Sequence, residues 1–279
     1  MAAKGARSGP GGGRPVERDA QTVEVVLDHP GRVRVRVGVD DEGRRRNRLE
    51  VQGRAWADRH GIRVPSILSH DPAGAWLVSE DVTSLPQQGR GFVEAGLEIA
   101  RRVAAATPMV SSESTSGWRA PARGRVLRAG QLWRAGISPA QFMRERGAAH
   151  DLPVDTAVHG DLYDSNVLLV DQHSATIIDW EHAGVGPRFS DEIRFATTLA
   201  RDEDAGYAIE CILGRARTSD LYSIATQLRW LSLRHYADQL TAEPLVVSRE
   251  RKDAVRRRWL EAARWADEIA HARFSPRPS

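Results

Sequence analysis

The sequence predicts a two-lobed α+β fold, a small antiparallel sheet carrying one helix and then a larger, mainly helical lobe. Three observations predict it. Residues 22–39 alternate apolar and polar side chains about a turn, the period of half-buried strands. Residues 62–82 hold two more strand-like runs around the turn "DPAG". From residue 92 onward most of the chain repeats apolar side chains every three or four residues, the period of helices packed on a core.

Along the chain, 1–20 reads as a flexible leader, basic and rich in glycine and proline. "TVEVVL" (22–27) and "RVRVRVGV" (32–39) are the arms of a hairpin with "DHPG" as its turn. Leu49, Trp56 and Ala57 recur at helical spacing within 46–61, and Gly61 is placed to stop that helix. The small lobe, 21–82, closes on the strand-like runs of 62–82. In the second lobe, 83–279, residues 92–107 are helical, 114–124 a loop and 125–148 one or two short helices. Brief apolar runs at 154–159, 167–170 and 176–180 suit buried strands. Helical patterns return at 194–216, 219–240 and 249–272, with Trp230, Leu231, Trp259 and Trp265 as core anchors.

Composition narrows the class. The 279 residues can bury a large core in one sizeable domain or in two lobes that share a cleft. Hydrophobic residues make up 41% and charged residues 28%, as in soluble globular proteins. No stretch approaches the roughly 18 uninterrupted apolar residues of a membrane span, and the first 20 residues lack the apolar segment of a secretory signal. A cytoplasmic protein without a membrane partner is expected. The formal net charge of +3 rests on arginine, since Lys4 and Lys252 are the only lysines. Acids break up the basic runs at 44–46 and 256–258, which reads as solvated faces, so no nucleic-acid partner is expected. Cys211 is alone, so it forms no internal disulfide or thiolate cluster; its apolar neighbours mark a buried thiol.

The chemistry concentrates in "AVHGDLYDSNVLLV" (157–170) and "ATIIDWEHAGVG" (175–186). Asn166 and Asp179 each adjoin an apolar strand-like run, with the turn-like "DQHS" between them. Two strands so joined deliver one oxygen ligand each to the same end of a hairpin. That pair suits Mg²⁺, a hard cation that takes few protein ligands and completes its octahedron with water and phosphate oxygens. Asp161, five residues before Asn166, falls on the loop facing the metal, where a carboxylate can accept a hydrogen bond from an incoming hydroxyl.

The order His-Gly-Asp, four residues, Asn, then Ile-Asp-Trp-Glu resembles the catalytic core of the aminoglycoside phosphotransferase and choline kinase family, small-molecule relatives of protein kinases. The resemblance implies a bilobal protein-kinase-like fold with ATP in the cleft and Mg²⁺ beside it. Carried over by position, Asp161 matches the catalytic base and Asn166 and Asp179 the magnesium ligands. His159 matches a supporting histidine, and Asp191 an aspartate packed beneath the loop. Asp164 falls at a variable position, as a loop cap or facing substrate. In the small lobe Glu50 matches the acid that pairs with the phosphate-binding cation, and the backbone from Glu80 to Val82 matches the hinge that holds adenine.

Two departures stand out. The family's third-strand lysine is missing. Arg34 and Arg36 point the same way on their strand and either could reach the cleft; the resemblance favours Arg36, paired with Glu50. The glycine-rich phosphate loop is also missing, since the only glycine cluster, Gly11–Gly13, precedes "TVEVVL" and nothing before it reads as a strand. Either a first strand is absent or the leader covers the nucleotide. The expected function is ATP- and Mg²⁺-dependent transfer of the γ-phosphate to a hydroxyl of a small molecule, be it an aminoglycoside or other antibiotic, a sugar or a nucleoside-type metabolite. The alternative is a weak or inactive pseudokinase that serves as a binding module. A polycationic acceptor would want acids such as Asp164, Glu181, Asp202, Glu203 and Asp204, which equally suit helix ends.

Overall fold

Alternation between Thr22 and Gly38 buries Thr22, Glu24 and Val26 on one face of a strand and sets Arg36 directly across from Glu24. This pairing organises the sheet in a computed structural model that describes residues 14–18, 22–28, 32–109, 133, 136–171, 174–241 and 249–274. The strands are β1 (Arg14–Arg18), β2 (Thr22–Asp28), β3 (Arg32–Gly38), β4 (Ile67–His70) and β5 (Trp76–Glu80), all antiparallel in the order β1-β2-β3-β5-β4. A strand thus lies within the stretch 1–20 that the sequence offers as a flexible leader, and of the two alternatives left open the absence of a first strand is excluded. "RPVER" pairs Arg14 with Val26 and Arg18 with Val23 across a register shift, and its charge and proline masked it as a strand. Arg36 accordingly lies on the third strand.

Helix α1 (Asp41–Arg59) starts five residues before the apolar periodicity does. Its first turns, "DEGRRRN", carry no apolar stripe. The start is fixed instead by Asp40, whose carboxylate accepts the Gly43 N–H at 2.7 Å, and by Asp41 and Glu42 in the first turn.

The second lobe contains α2 (Arg90–Ala105), α3 (Pro139–His150), β6 (Thr156–Val158), β7 (Val167–Leu169), β8 (Ala175–Ile177), β9 (Gly184–Gly186), α4 (Ser190–Thr198), α5 (Asp202–Arg215), α6 (Leu221–Thr241) and α7 (Arg249–Phe274). The single helix expected over 194–216 is two, broken at Leu199–Arg201, and the strand expected over 176–180 ends at Ile177. Asp179 stops that strand by adopting left-handed backbone, φ 63°, and Trp180–His182 follow as a 3-10 turn. β9, which pairs with β6, has the glycine-rich sequence "GVG" and gave no periodic signal. The loop at 114–124, the glycine cluster 11–13, helix expectations for 125–132 and the turn residues 29–31 and 172–173 lie outside the described residues. Among the described residues no helix is long and apolar enough to cross a membrane.

The lobes meet at Trp180. Its indole is fully buried, donates to the Ile177 carbonyl at 3.1 Å, and packs against Trp56 of α1 and His159 at ring separations of 5.9 and 4.7 Å. Gly53 of α1 makes the fit possible: a Cβ there would stand 2.6 Å from the Trp180 Cβ and 2.8 Å from its carbonyl oxygen. Helix propensity alone would favour alanine by about 1 kcal/mol, but overpacking against backbone costs about 1–3 kcal/mol. Gly53→Ala should therefore destabilise the protein in urea denaturation, whereas Gly206→Ala in α5, with nothing within 4 Å, should stabilise it by about 0.5–1 kcal/mol. Equal signs for the two variants would contradict the packing described.

Candidate active site

The loop after β6 is built on a buried carboxylate. Asp191, near the start of α4, accepts the backbone N–H of His159 at 2.6 Å and of Gly160 at 3.0 Å. Burial pushes the Asp191 carboxyl up to about 6 against the pull of these bonds. Gly160 has φ 82°, and a side chain there would strike the His182 carbonyl, so the turn requires glycine. His159 is fully buried. Its Nε2–H donates to the Ile178 carbonyl at 3.0 Å, while Nδ1 faces the Asp161 N–H at 3.4 Å and must be bare to accept it. Burial lowers His159 to about 4, so the ring is neutral and braces backbone.

The same loop brings Asp161, Asn166 and Asp179 together through backbone. Asn166 donates from Nδ2 to the Asp161 carbonyl at 2.9 Å, which leaves its Oδ1 without a hydrogen bond among the described residues. The Asn166 carbonyl accepts the Ile178 N–H at 3.1 Å, which sets Asp179 beside it at the end of the β7–β8 hairpin. Asp164 has a local role: its Oδ1 accepts the Ser165 N–H at 2.8 Å, and burial raises its pKa.

Sequence reasoning missed Arg194. This buried guanidinium on α4 donates from Nη1 to Asp161 Oδ1 at 3.3 Å and to Tyr163 Oη at 3.2 Å, and it lies 5.4 Å from the Tyr163 ring centroid. It stands one helical turn after Asp191, among apolar residues, and that placement was a readable signal.

Around Asp179 the charges differ from the expected Arg36–Glu50 pair. Arg36 is buried and joins Glu181 at 2.6 Å and Glu24 at 3.5 Å. Glu50 bonds Arg54, one turn along α1, at 2.5 Å, and its second oxygen is buried without a hydrogen bond. The correction has a geometric reason: an i,i+4 partner on its own helix reaches Glu50 more directly than a side chain from the sheet. Despite its full burial, Arg54 and Arg36 hold Glu50 below the usual carboxylate range. Glu181, expected on the acceptor side, instead faces Arg36 of the sheet and Arg46 of α1. Arg34 turns to Glu24 and Asp81.

Asp179 has no ion pair among the described residues. Burial, and next the carboxylate of Glu50, with smaller effects from Glu24 and Glu181, hold it up at about 7 against the pull of Arg36. An unpaired carboxylate and an unbonded amide oxygen at one hairpin end form a hard-oxygen donor set, and Mg²⁺ fits it. Among the described residues no group of three or more His, Cys, Asp or Glu side chains is arranged to hold a metal, so an ion here must draw its other ligands from elsewhere.

The cleft between the lobes is walled by Pro65, Leu77, Leu168 and Ile178, with Arg36 and Asp179 at its inner end and Glu80 and Val82, from the end of β5 and just after it, also lining it. The Glu80 and Asp81 N–H groups bond Ser66 and Arg32 carbonyls at 2.9 and 3.0 Å, while the Val82 N–H has no partner among the described residues. The pocket that these residues line holds about 10 Å³ of open space, room for about one water.

A five-stranded lobe with one helix, a helical lobe, and a catalytic-type loop and hairpin at their junction define a kinase-like small-molecule phosphotransferase. The chain belongs to the phosphotransferase enzyme family (APH), whose family model matches residues 13–220. Solved structures share its fold. A choline/ethanolamine kinase family protein from Mesorhizobium loti is 16% identical, covering 93% of this chain and 88% of that one, with a TM-score of 0.56. Aminoglycoside phosphotransferase APH(2'')-Ib in its ADP-bound form is 10% identical, with coverages of 92% and 94% and a TM-score of 0.56. A thermostable mutant of APH(4)-Ia in ternary complex with ADP and hygromycin B is 16% identical, with coverages of 94% and 92% and a TM-score of 0.53. Among curated proteins no sequence matches.

The buried neutral His159 has a consequence for acid stability. The unfolded chain takes up a proton near pH 6.5 that the folded chain refuses until about 4, so this contribution is present above pH 6.5 and is lost as pH falls towards 4. Asp191 acts in the opposite sense, its contribution present below about 4 and lost as pH rises through about 6. Comparing wild type with His159→Gln isolates the first effect. Wild-type stability should drop by about 3 kcal/mol relative to the variant between pH 7 and pH 4 in denaturant titrations. A difference independent of pH would show that His159 is not held neutral.

Proposed function

We propose that the protein transfers the γ-phosphate of ATP, with Mg²⁺, to a hydroxyl of a small molecule. The observation that supports this reading is the backbone linkage that ties the Asp161 carbonyl to the Asn166 amide and the Asn166 carbonyl to the Ile178 N–H next to Asp179, with the Asn166 Oδ1 unbonded and the Asp179 carboxylate without an ion pair among the described residues. Adenine would lie between Leu77 and Leu168 and accept the free Val82 N–H. Arg36 would trade part of its contact with Glu24 and Glu181 for phosphate oxygens, and its planar fork suits that exchange. Asn166 and Asp179 would hold Mg²⁺, which when bound would neutralise and cross-link the phosphate oxygens.

Asp161, kept in place by Arg194 and by the loop beneath it, would accept a hydrogen bond from the acceptor hydroxyl and aim its oxygen at the γ-phosphorus. The new O–P bond forms as the bond from phosphorus to the bridging oxygen of ADP breaks, and the hydroxyl proton passes to Asp161. Parting of the lobes to admit nucleotide and closure over it would keep water from competing.

A second reading, a binding module without transfer activity, is favoured by specific observations. The pocket beside Arg36 has room for about one water, and the residues between β1 and β2, Asp19 to Gln21, include no glycine to lay amides over phosphate. Thermal shift with Mg-ATP separates the two readings. Stabilisation that rises with ligand concentration is expected, and its absence would favour the binding module.

Asp161→Asn should lower kcat by about 10²- to 10⁴-fold with Mg-ATP affinity unchanged, as measured by steady-state kinetics and calorimetry. A variant with near wild-type turnover would remove Asp161 as the base. Asp179→Asn should abolish the magnesium-dependent part of ATP affinity. Without metal it should melt no lower than wild type, because it removes an uncompensated charge. An unchanged magnesium titration would remove Asp179 from the metal site.

A further inference from the structure

Arg36, the cation that the phosphotransfer reading sets against the nucleotide phosphates, is held by two carboxylates of different standing. Glu24 is its cross-strand neighbour on β2, fixed by the strand register; it lies 3.5 Å from Arg36 Nε and also holds Arg34 at 3.2 Å. Glu181 comes from the turn after Asp179, 145 residues along the chain, and takes Arg36 Nη2 at 2.6 Å. This is the shorter contact. Both of its side chains are 9% exposed, so salt and water screen it little. A carboxylate on this fork occupies a donor that a phosphate oxygen would need.

Glu181 has a second cation within reach. Its other oxygen, Oε1, lies 3.6 Å from Nη1 of Arg46 on α1 and 3.5 Å from Nε2 of the adjoining His182. Arg46 is 24% exposed and also approaches Glu42 at 3.5 Å, which sets it outward of the buried Arg36 contact. Glu181 therefore stands between an inner guanidinium at hydrogen-bond distance and an outer one just beyond it. Glu24 has no such choice between elements, since Arg34 and Arg36 both belong to β3.

We infer that Glu181 is an internal stand-in for nucleotide phosphate and that Glu181 and Arg46 are positioning residues of the phosphate site: when phosphate arrives, Glu181 leaves Arg36 for Arg46, and Arg36 turns its fork to the phosphate oxygens while it stays tied to Glu24. The inference rests on the phosphotransfer reading for Arg36 as the phosphate-binding cation, and it adds that nucleotide affinity is set by a competition within the protein. Like charges at one guanidinium repel, so Glu181 and phosphate exclude each other there. Arg46 makes the exchange less costly because it receives a carboxylate that would otherwise be left buried and unpaired.

The test is a double-mutant cycle on the binding of a non-hydrolysable ATP analogue with Mg²⁺ to the full chain, read by calorimetry, with melting temperatures of the unliganded chains as a control for folding. Glu181→Gln should bind the analogue about tenfold more tightly than wild type, because Arg36 is released. Arg46→Gln should bind it about tenfold more weakly in the wild-type background and as well as its parent in the Glu181→Gln background, where no carboxylate needs a receiver. Equal or weaker binding by Glu181→Gln overturns the inference. So does a loss from Arg46→Gln of the same size in both backgrounds, which would make Arg46 act on phosphate independently of Glu181. A crystal structure of the wild type with the same ligand needs no variant: Glu181 should lie within hydrogen-bond distance of Arg46 with Arg36 on a phosphate oxygen, and Glu181 still on Arg36 would overturn the exchange. If none of the four chains binds the analogue, the phosphotransfer reading falls and the inference with it; if all four bind with the same affinity, that reading stands and the inference alone falls.

Discussion

Four carboxylates converge on the inner end of the cleft, and three of them have a guanidinium within ion-pair distance. Glu24 meets Arg34 and Arg36, Glu181 meets Arg36 and Arg46, and Glu50 meets Arg54. Asp179 has none among the described residues, and its backbone sits in a left-handed conformation that non-glycine residues seldom adopt. A half-buried carboxylate without an ion pair is unfavourable to fold around, and it persists here because strand pairing on one side and the Trp180 turn on the other fix its position. The rest of the site is arranged about this unmet charge: an amide oxygen beside it, a second acid on the loop and a cation across the cleft.

That arrangement depends on how the two lobes are joined. Trp180, the residue after Asp179, packs into the space left by Gly53 on α1 and against the ring of His159. One side chain thus couples the helix of the small lobe, the hairpin end and the loop after β6. Asp191 completes the coupling from below by holding the His159 and Gly160 amides. Because these contacts lie in dense packing, displacement at one would be felt at the others.

Arginine where the wider family carries lysine changes the character of the cleft. A lysine is a compact, strongly hydrated point charge, whereas the forked guanidinium of Arg36 holds Glu181 and Glu24 at once and ties the sheet to the turn after Asp179. Glu50 is left to a partner on its own helix.

The order of motifs, His159 to Asn166 and then Asp179, was legible from the sequence because short polar residues between apolar runs can only be loop ends, and so was the division into sheet and helix, because periods of two and of 3.6 leave distinct patterns. Strand β1 was not legible: its charged and proline-bearing sequence has no apolar face, and it exists by pairing with β2. Nor were the partners of the charged groups. Sequence determined which residue types stand at each position along the chain; only the tertiary structure decided that Arg36 takes Glu181 and not Glu50, that Arg194 holds Asp161, and that Asp179 is left alone. Ion pairing is set by distance in space between groups far apart in sequence, and no local pattern encodes it.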